Sequence, residues 1–173
     1  SLHDALPIFM GFSENFLWGT ATASYQIEGG AFEGGRGYTV WDDFCRTPGK
    51  VFSMHNGDVA CDHYHRYKED VKMMADMGIQ AYRFSIAWSR ILPEGKGEVS
   101  QSGIDFYNAL IDELLKYNIE PMITICHDEI PAYLADHYDG WSSRHTINCY
   151  LKLCKTLFER FKGKVKYWLT FNE

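Results

Sequence analysis

Tyr167-Trp168-Leu169-Thr170-Phe171-Asn172-Glu173 ends the chain, and the order of residue types in it decides the reading of the fold. Residues 165–171 are a short run of apolar, aromatic and β-branched side chains, which predicts a buried strand of a parallel sheet. Asn172 and Glu173 then stand at the carboxyl end of that strand, where parallel sheets gather their chemistry. A finished domain seldom stops on the last residue of an interior strand, so the expectation is the amino-terminal part of a longer enzyme.

Upstream, three further stretches read as strands: 16–24, 79–88 and 120–126, each dense in β-branched or aromatic residues. Between them lie amphipathic helical patterns. In 104–117 the residues Phe106, Tyr107, Leu110, Ile111, Leu114 and Leu115 form one stripe. A second stripe, Tyr64, Tyr67, Val71 and Met74, stops near Gly78; a third, Ile147, Tyr150, Cys154, Leu157, Phe158 and Phe161, stops near Gly163, with Ser142 or Ser143 as its cap. Strands alternating with helices predict right-handed βαβ units and an α/β fold. Gly29-Gly30 and Gly34-Gly35-Arg36-Gly37 match neither the dinucleotide fingerprint nor the P-loop, so they read as loop glycines. Units of about 40 residues with polar residues ending successive strands favour a TIM (β/α)8 barrel of which the first four strands are present.

A hydrophobic content of 46% with 16% aromatic residues excludes a disordered chain. The formal charge of −6 and the lack of a basic stripe give no support to a nucleic-acid partner. No apolar run is long enough for a membrane span, and the start has no signal-peptide pattern, which predicts a cytoplasmic protein with no membrane partner. Five cysteines without a Cys-x-x-Cys pair read as reduced packing residues. Residues 1–9 precede Met10-Gly11-Phe12 and read as a non-native leader before a natural start, leaving 10–173 as the barrel half. His63 and His65, two apart on a helix, point to different sides and predict no metal site. Asp58, Asp62, Glu69 and Asp70 among Arg66 and Lys68 read as a solvated, self-paired surface. No cofactor is implied.

Glycoside hydrolysis requires a carboxylic acid to protonate the leaving oxygen, and a second carboxylate about 5 to 5.5 Å away when configuration is retained. Most glutamates are solvated surface residues, but an Asn-Glu pair closing a Tyr-Trp-Leu-Thr-Phe strand is far less ordinary. With Thr170-Phe171-Asn172-Glu173, the stretches Phe16-Leu17-Trp18-Gly19-Thr20-Ala21-Thr22-Ala23-Ser24-Tyr25-Gln26-Ile27-Glu28-Gly29, Asp62-His63-Tyr64-His65-Arg66-Tyr67-Lys68-Glu69-Asp70, Tyr82-Arg83-Phe84-Ser85-Ile86-Ala87-Trp88-Ser89-Arg90 and 138–144 resemble glycoside hydrolase family 1. That family comprises retaining β-glucosidases and 6-phospho-β-glucosidases. The resemblance implies a TIM barrel in which Glu173 is the general acid/base and Asn172 holds the sugar 2-hydroxyl. It further implies that Gln26 and His127 bind hydroxyls of the glycone, and that Arg83 supports the nucleophilic carboxylate. For His127 taken alone, a structural role is the commoner one.

Adjacent residues on a strand face opposite sides, so Asn172 and Glu173 serve one site only where the strand end twists or bulges. The family nucleophile lies on a later strand in a Thr-Glu-Asn-Gly type motif, which these 173 residues do not contain. The expected substrate is a β-glucoside or oligosaccharide, and the 173 residues alone are expected to be inactive. The family usually has an aromatic after the His127 position, in His-Trp-Asp-Leu-Pro or His-Phe-Glu-Met-Pro; here the sequence is His127-Asp128-Glu129-Ile130-Pro131. An acidic Asp128 argues for a neutral sugar over a phosphorylated one. The competing readings are a non-hydrolytic sugar-binding module and a half-barrel that pairs with a second copy through its open strand edges.

Overall fold

The computed structural model describes residues 11–173, so the leader assigned to 1–9 lies outside the described residues. Four parallel strands form one sheet in chain order: β1 (Gly19–Ala21), β2 (Ala81–Ser85), β3 (Glu120–Cys126) and β4 (Tyr167–Phe171). Each step between neighbouring strands is a crossover carrying one long helix, α3 (His63–Asp76), α5 (Gln101–Lys116) or α7 (Arg144–Arg160). Short helices sit beside the strand ends and loops: α1 (Ser24–Ile27), α2 (Val40–Arg46), α4 (Trp88–Ile91) and α6 (Ala132–Tyr138). No helix among the described residues is long and apolar enough to cross a membrane.

The period-two alternation of the strands separates core from site. On β2, Tyr82 and Phe84 enter the apolar layer under the helices, while Arg83 between them faces the other way, toward Thr124. On β3, Ile123 and Ile125 are in the same apolar layer and Thr124 is the outlier. Tyr107 of α5 lies parallel to Phe84, with ring centroids 6.4 Å apart. The register pairs Ala21 with Arg83, Ser85 with Thr124 and Cys126 with Phe171, so β3 and β4 end level, while β1 stops two residues short of the end of β2 and β2 two short of the end of β3.

β3 is found as read, Glu120–Cys126. The other strands are shorter than the sequence predicts. Residues 86–88 are as apolar as a strand interior, but Ala87 gives its N–H to the Tyr107 hydroxyl at 2.7 Å and the chain turns into α4. Expected as a buried strand, β4 is the edge of the sheet among the described residues, and Tyr167 and Phe171 are exposed there.

The helix stripes are confirmed in α3 and shifted elsewhere. In α5, Leu115 turns outward while Ile104, Phe106, Tyr107, Leu110, Ile111 and Leu114 are buried. In α7 the inward row is Cys149, Tyr150, Leu153 and Leu157, followed by Phe161 at the helix end. Ile147 and Phe158 are exposed there, and Phe158 meets Trp168 of β4 edge-on at 4.8 Å. Ser143 is the cap of α7, accepting from the His145 N–H. Among the loop glycines, Gly37 has a steric role: a Cβ there would lie 1.9 Å from the Pro93 carbonyl oxygen.

The acidic cluster is not uniformly solvated. Arg66 pairs with Glu69 at 3.0 Å on the surface, but Asp58 pairs with Arg46, and Asp70 Oδ2 accepts from the buried His63 Nδ1 at 2.6 Å. His65 is exposed between Asp62 and Glu33, on a different side from His63.

Candidate active site

Of the five residues singled out from the sequence, four follow the carboxyl ends of strands and the fifth, Arg83, is at the middle of one. Gln26 is on α1, directly after β1; Arg83 is inside β2; His127 follows β3; Asn172 and Glu173 follow β4. The pair lies just past the end of β4, with the Asn172 backbone still tied to β3. β4 ends at Phe171, and the Asn172 N–H donates to the Cys126 carbonyl at 3.1 Å. Asn172 and Glu173 then line one cavity of about 370 Å³, together with Cys126, Asp128, Trp141 and Phe171.

Arg83 organises this cavity from the sheet. Its Nε donates to Thr124 Oγ1 at 2.8 Å and its Nη2 to Asn172 Oδ1 at 2.9 Å. With Oδ1 thus engaged, Asn172 presents its amide nitrogen as a donor, the arrangement a sugar hydroxyl oxygen requires.

Gln26 and His127 meet in a second cavity, of about 230 Å³, lined also by Tyr25, Trp41 and Val51. Trp41 and Tyr25 are stacked with centroids 6.2 Å apart, giving this wall the flat apolar surface on which a sugar face packs. Burial holds the His127 imidazole below its ordinary pKa, against the opposing pull of the Asp128 carboxylate. The ring is therefore neutral at pH 7 and can both donate and accept. Its Nε2 is 3.8 Å from Asp128 Oδ2, beyond a hydrogen bond, and its Nδ1 is buried without a partner among the described residues.

Asp128 lines both cavities and is the residue they share. It adopts φ = 65°, a positive value that a bulky aromatic side chain resists. The sequence identifies Asp128 as a departure but not as the junction of the two halves of the site. Trp141 is a second residue whose place the sequence leaves unassigned. It sits in the 138–144 stretch, walls the Glu173 cavity and meets Phe171 edge-on at 5.3 Å.

Behind the cavities, Glu129 is buried, and burial pushes its carboxyl up from the usual 4.5 to about 7, with Arg36 and the Ser24 hydrogen bond pulling the other way. A raised carboxylate pKa means that the folded chain binds more protons than the unfolded chain between those two values. The contribution of Glu129 to stability is accordingly full below about pH 4.5 and declines as pH rises through about 7. Denaturant midpoints measured at pH 5 and pH 8 should show a fall for the parent protein that is smaller in Glu129→Gln. Equal falls in the two proteins would contradict this.

The sequence model of glycosyl hydrolase family 1 matches residues 9–173. Over 162 residues the chain is 52% identical to an aryl-phospho-beta-D-glucosidase, BglC, of Bacillus subtilis, covering 94% of this chain and 34% of that protein. It is 51% identical to a 1,4-beta-D-glucan glucohydrolase of Thermotoga neapolitana, covering 94% and 38%. Among solved structures, a rice β-glucosidase superposes with a TM-score of 0.92 at 51% identity over 94% of this chain and 34% of that one. The family 1 β-glucosidase of Thermotoga maritima gives 0.91 at 50% identity over 94% and 36%. The four strands thus correspond to the first part of a TIM barrel, and the chain spans about a third of the length of these relatives.

Proposed function

Because the chain belongs to glycosyl hydrolase family 1, we propose that the complete protein is a retaining β-glycosidase acting on β-linked glucosides, with Glu173 as its proton donor. The observation that carries this reading is the Arg83 to Asn172 hydrogen bond of 2.9 Å on the cavity that Glu173 lines. It fixes Asn172, with its amide nitrogen left to donate, beside the acid that follows it at the carboxyl end of β4. In this reading the Asn172 amide nitrogen binds the glycone 2-hydroxyl, and Gln26 and neutral His127 bind hydroxyls from the adjoining cavity. Arg83 makes no ion pair among the described residues, and its fixed charge suits a carboxylate nucleophile kept ionised beside it. That nucleophile belongs to a motif absent from these 173 residues, so the isolated chain is proposed to be inactive. Five free cysteines support a reducing, cytoplasmic compartment.

The substrate proposed is the neutral sugar. The Asp128 carboxylate, half exposed at the junction of the cavities, repels a glycone that carries a phosphate. Screening in an open site leaves about 1.4 kcal/mol of this repulsion, or about tenfold in specificity. The complete protein should turn over an aryl β-glucoside with kcat/KM about tenfold above that for its 6-phosphate, and Asp128→Asn should narrow the ratio. Faster turnover of the 6-phosphate would sink the neutral-sugar assignment; turnover of neither would sink the glycosidase reading itself.

A further inference from the structure

His127, Asp128 and Glu129 form a three-residue turn closed by the Glu129 N–H on the His127 carbonyl at 2.8 Å, with Asp128 at its centre at positive φ. This form of the γ-turn is the rare, strained one. Such backbone persists only where its surroundings over-determine it. The surroundings here are specific. Glu129 is 1% exposed, and its Oε1 accepts from Ser24 Oγ at 2.6 Å. Ser24 gives its backbone N–H to Ser85 Oγ at 2.8 Å and accepts from that same hydroxyl at 3.0 Å. Ser85 is the last residue of β2, Ser24 the first of α1, and Glu129 follows β3 by three residues. One hydrogen-bonded chain therefore ties together the segments that follow three neighbouring strands.

Two of those segments carry the glycone-binding residues assigned above: Gln26 is two positions after Ser24, and His127 two before Glu129. We propose that Glu129, through Ser24, is a positioning residue that fixes the strained turn and holds Gln26 and His127 in one geometry for the sugar. The sequence gives no sign of this pairing, since Ser24 and Glu129 are 105 residues apart. The small polar cavity behind Glu129, about 10 Å³ and lined also by Tyr25, Glu28 and Arg36, has room for about one water against Glu129 Oε2, which has no partner among the described residues. A buried acceptor answered on one oxygen by a side chain from another segment acts as a clasp, and removing the Ser24 hydroxyl leaves Glu129 Oε1 without its donor and the Ser85 hydroxyl without its acceptor.

The inference rests on the glycosidase reading for its catalytic consequence but not for its structural one, so two readouts separate them. In the complete protein, Ser24→Ala should raise KM for an aryl β-glucoside about tenfold while kcat stays within about twofold. Glu129→Gln should hold KM near the parent value, because its amide oxygen still accepts from Ser24. In parallel, the His127 imidazole resonance, identified by its loss in His127→Gln, should shift in Ser24→Ala and be retained in Glu129→Gln. An inactive parent protein would defeat the glycosidase reading and leave the resonance to decide the positioning role. An unmoved His127 resonance in Ser24→Ala, or an unchanged KM in an active enzyme, would overturn the positioning role.

Discussion

Glu173→Gln in the complete protein is expected to lower kcat/KM on an alkyl β-glucoside by about 10² to 10⁴-fold, the usual worth of a general acid. That corresponds to about 3 to 5 kcal/mol of transition-state stabilisation. The amide keeps the size and hydrogen-bonding reach of the side chain and removes only the transferable proton, so ground-state binding through Gln26, His127 and Asn172 should survive. The loss should fall on kcat with KM little changed or lowered. The size of the effect should depend on the leaving group. An alkoxide needs the proton in the transition state, whereas a strongly acidic phenol departs without it, so an activated aryl glucoside should lose far less in the glycosylation step. A Glu173→Gln protein that keeps alkyl-glucoside activity within about threefold of the parent would show that the proton comes from elsewhere.

This site was legible in the sequence as far as residue types and strand ends could carry it. β3 is legible to the residue because its central Ile123-Thr124-Ile125 run is β-branched and apolar, and that signal outweighs Pro121 at its start. The far end of β2 was over-read because Ile86, Ala87 and Trp88 are fully buried in a turn and a short helix, and burial alone does not reveal the period. The same blindness displaced the α7 stripe: Phe158 is apolar but serves the exposed edge of β4 through Trp168, while Cys149 and Leu153 fill the core. What composition and spacing could not carry at all were contacts across long separations. The Ser24 to Glu129 clasp and the bridging place of Asp128 are properties of how the strand ends lie side by side, which only the register reveals.

The second large effect concerns another such contact. Glu28→Ala should cost about 3 to 5 kcal/mol of stability, because it leaves the Arg90 guanidinium buried without its counter-charge. Arg90 is 2% exposed, and its Nε donates to Glu28 Oε2 at 2.7 Å. The other carboxylate oxygen accepts from the Tyr107 hydroxyl at 2.6 Å, and Arg90 Nη2 reaches the Gly29 carbonyl at 2.7 Å while the guanidinium lies 4.1 Å from the centroid of the Tyr64 ring. Glu28 accepts from both Arg90 Nε and the Tyr107 hydroxyl, so deleting its carboxylate orphans two buried donors. The expected signature is a lower denaturant midpoint with an unchanged slope. Glu28→Gln should cost less, since the amide oxygen still accepts while the charge is gone. Glu28→Leu combined with Arg90→Met should recover much of the loss, because an apolar pair of similar volume carries no desolvation debt. A Glu28→Ala protein within about 1 kcal/mol of the parent would mean that water reaches Arg90 and that the pair is not the buried pin joining α1, α4 and α5. Because Gln26 is two residues from Glu28, loosening this pin should also raise KM in whatever fraction of the variant still folds. That second effect would link the stability of the strand-end loops to sugar binding through a pair that touches no substrate.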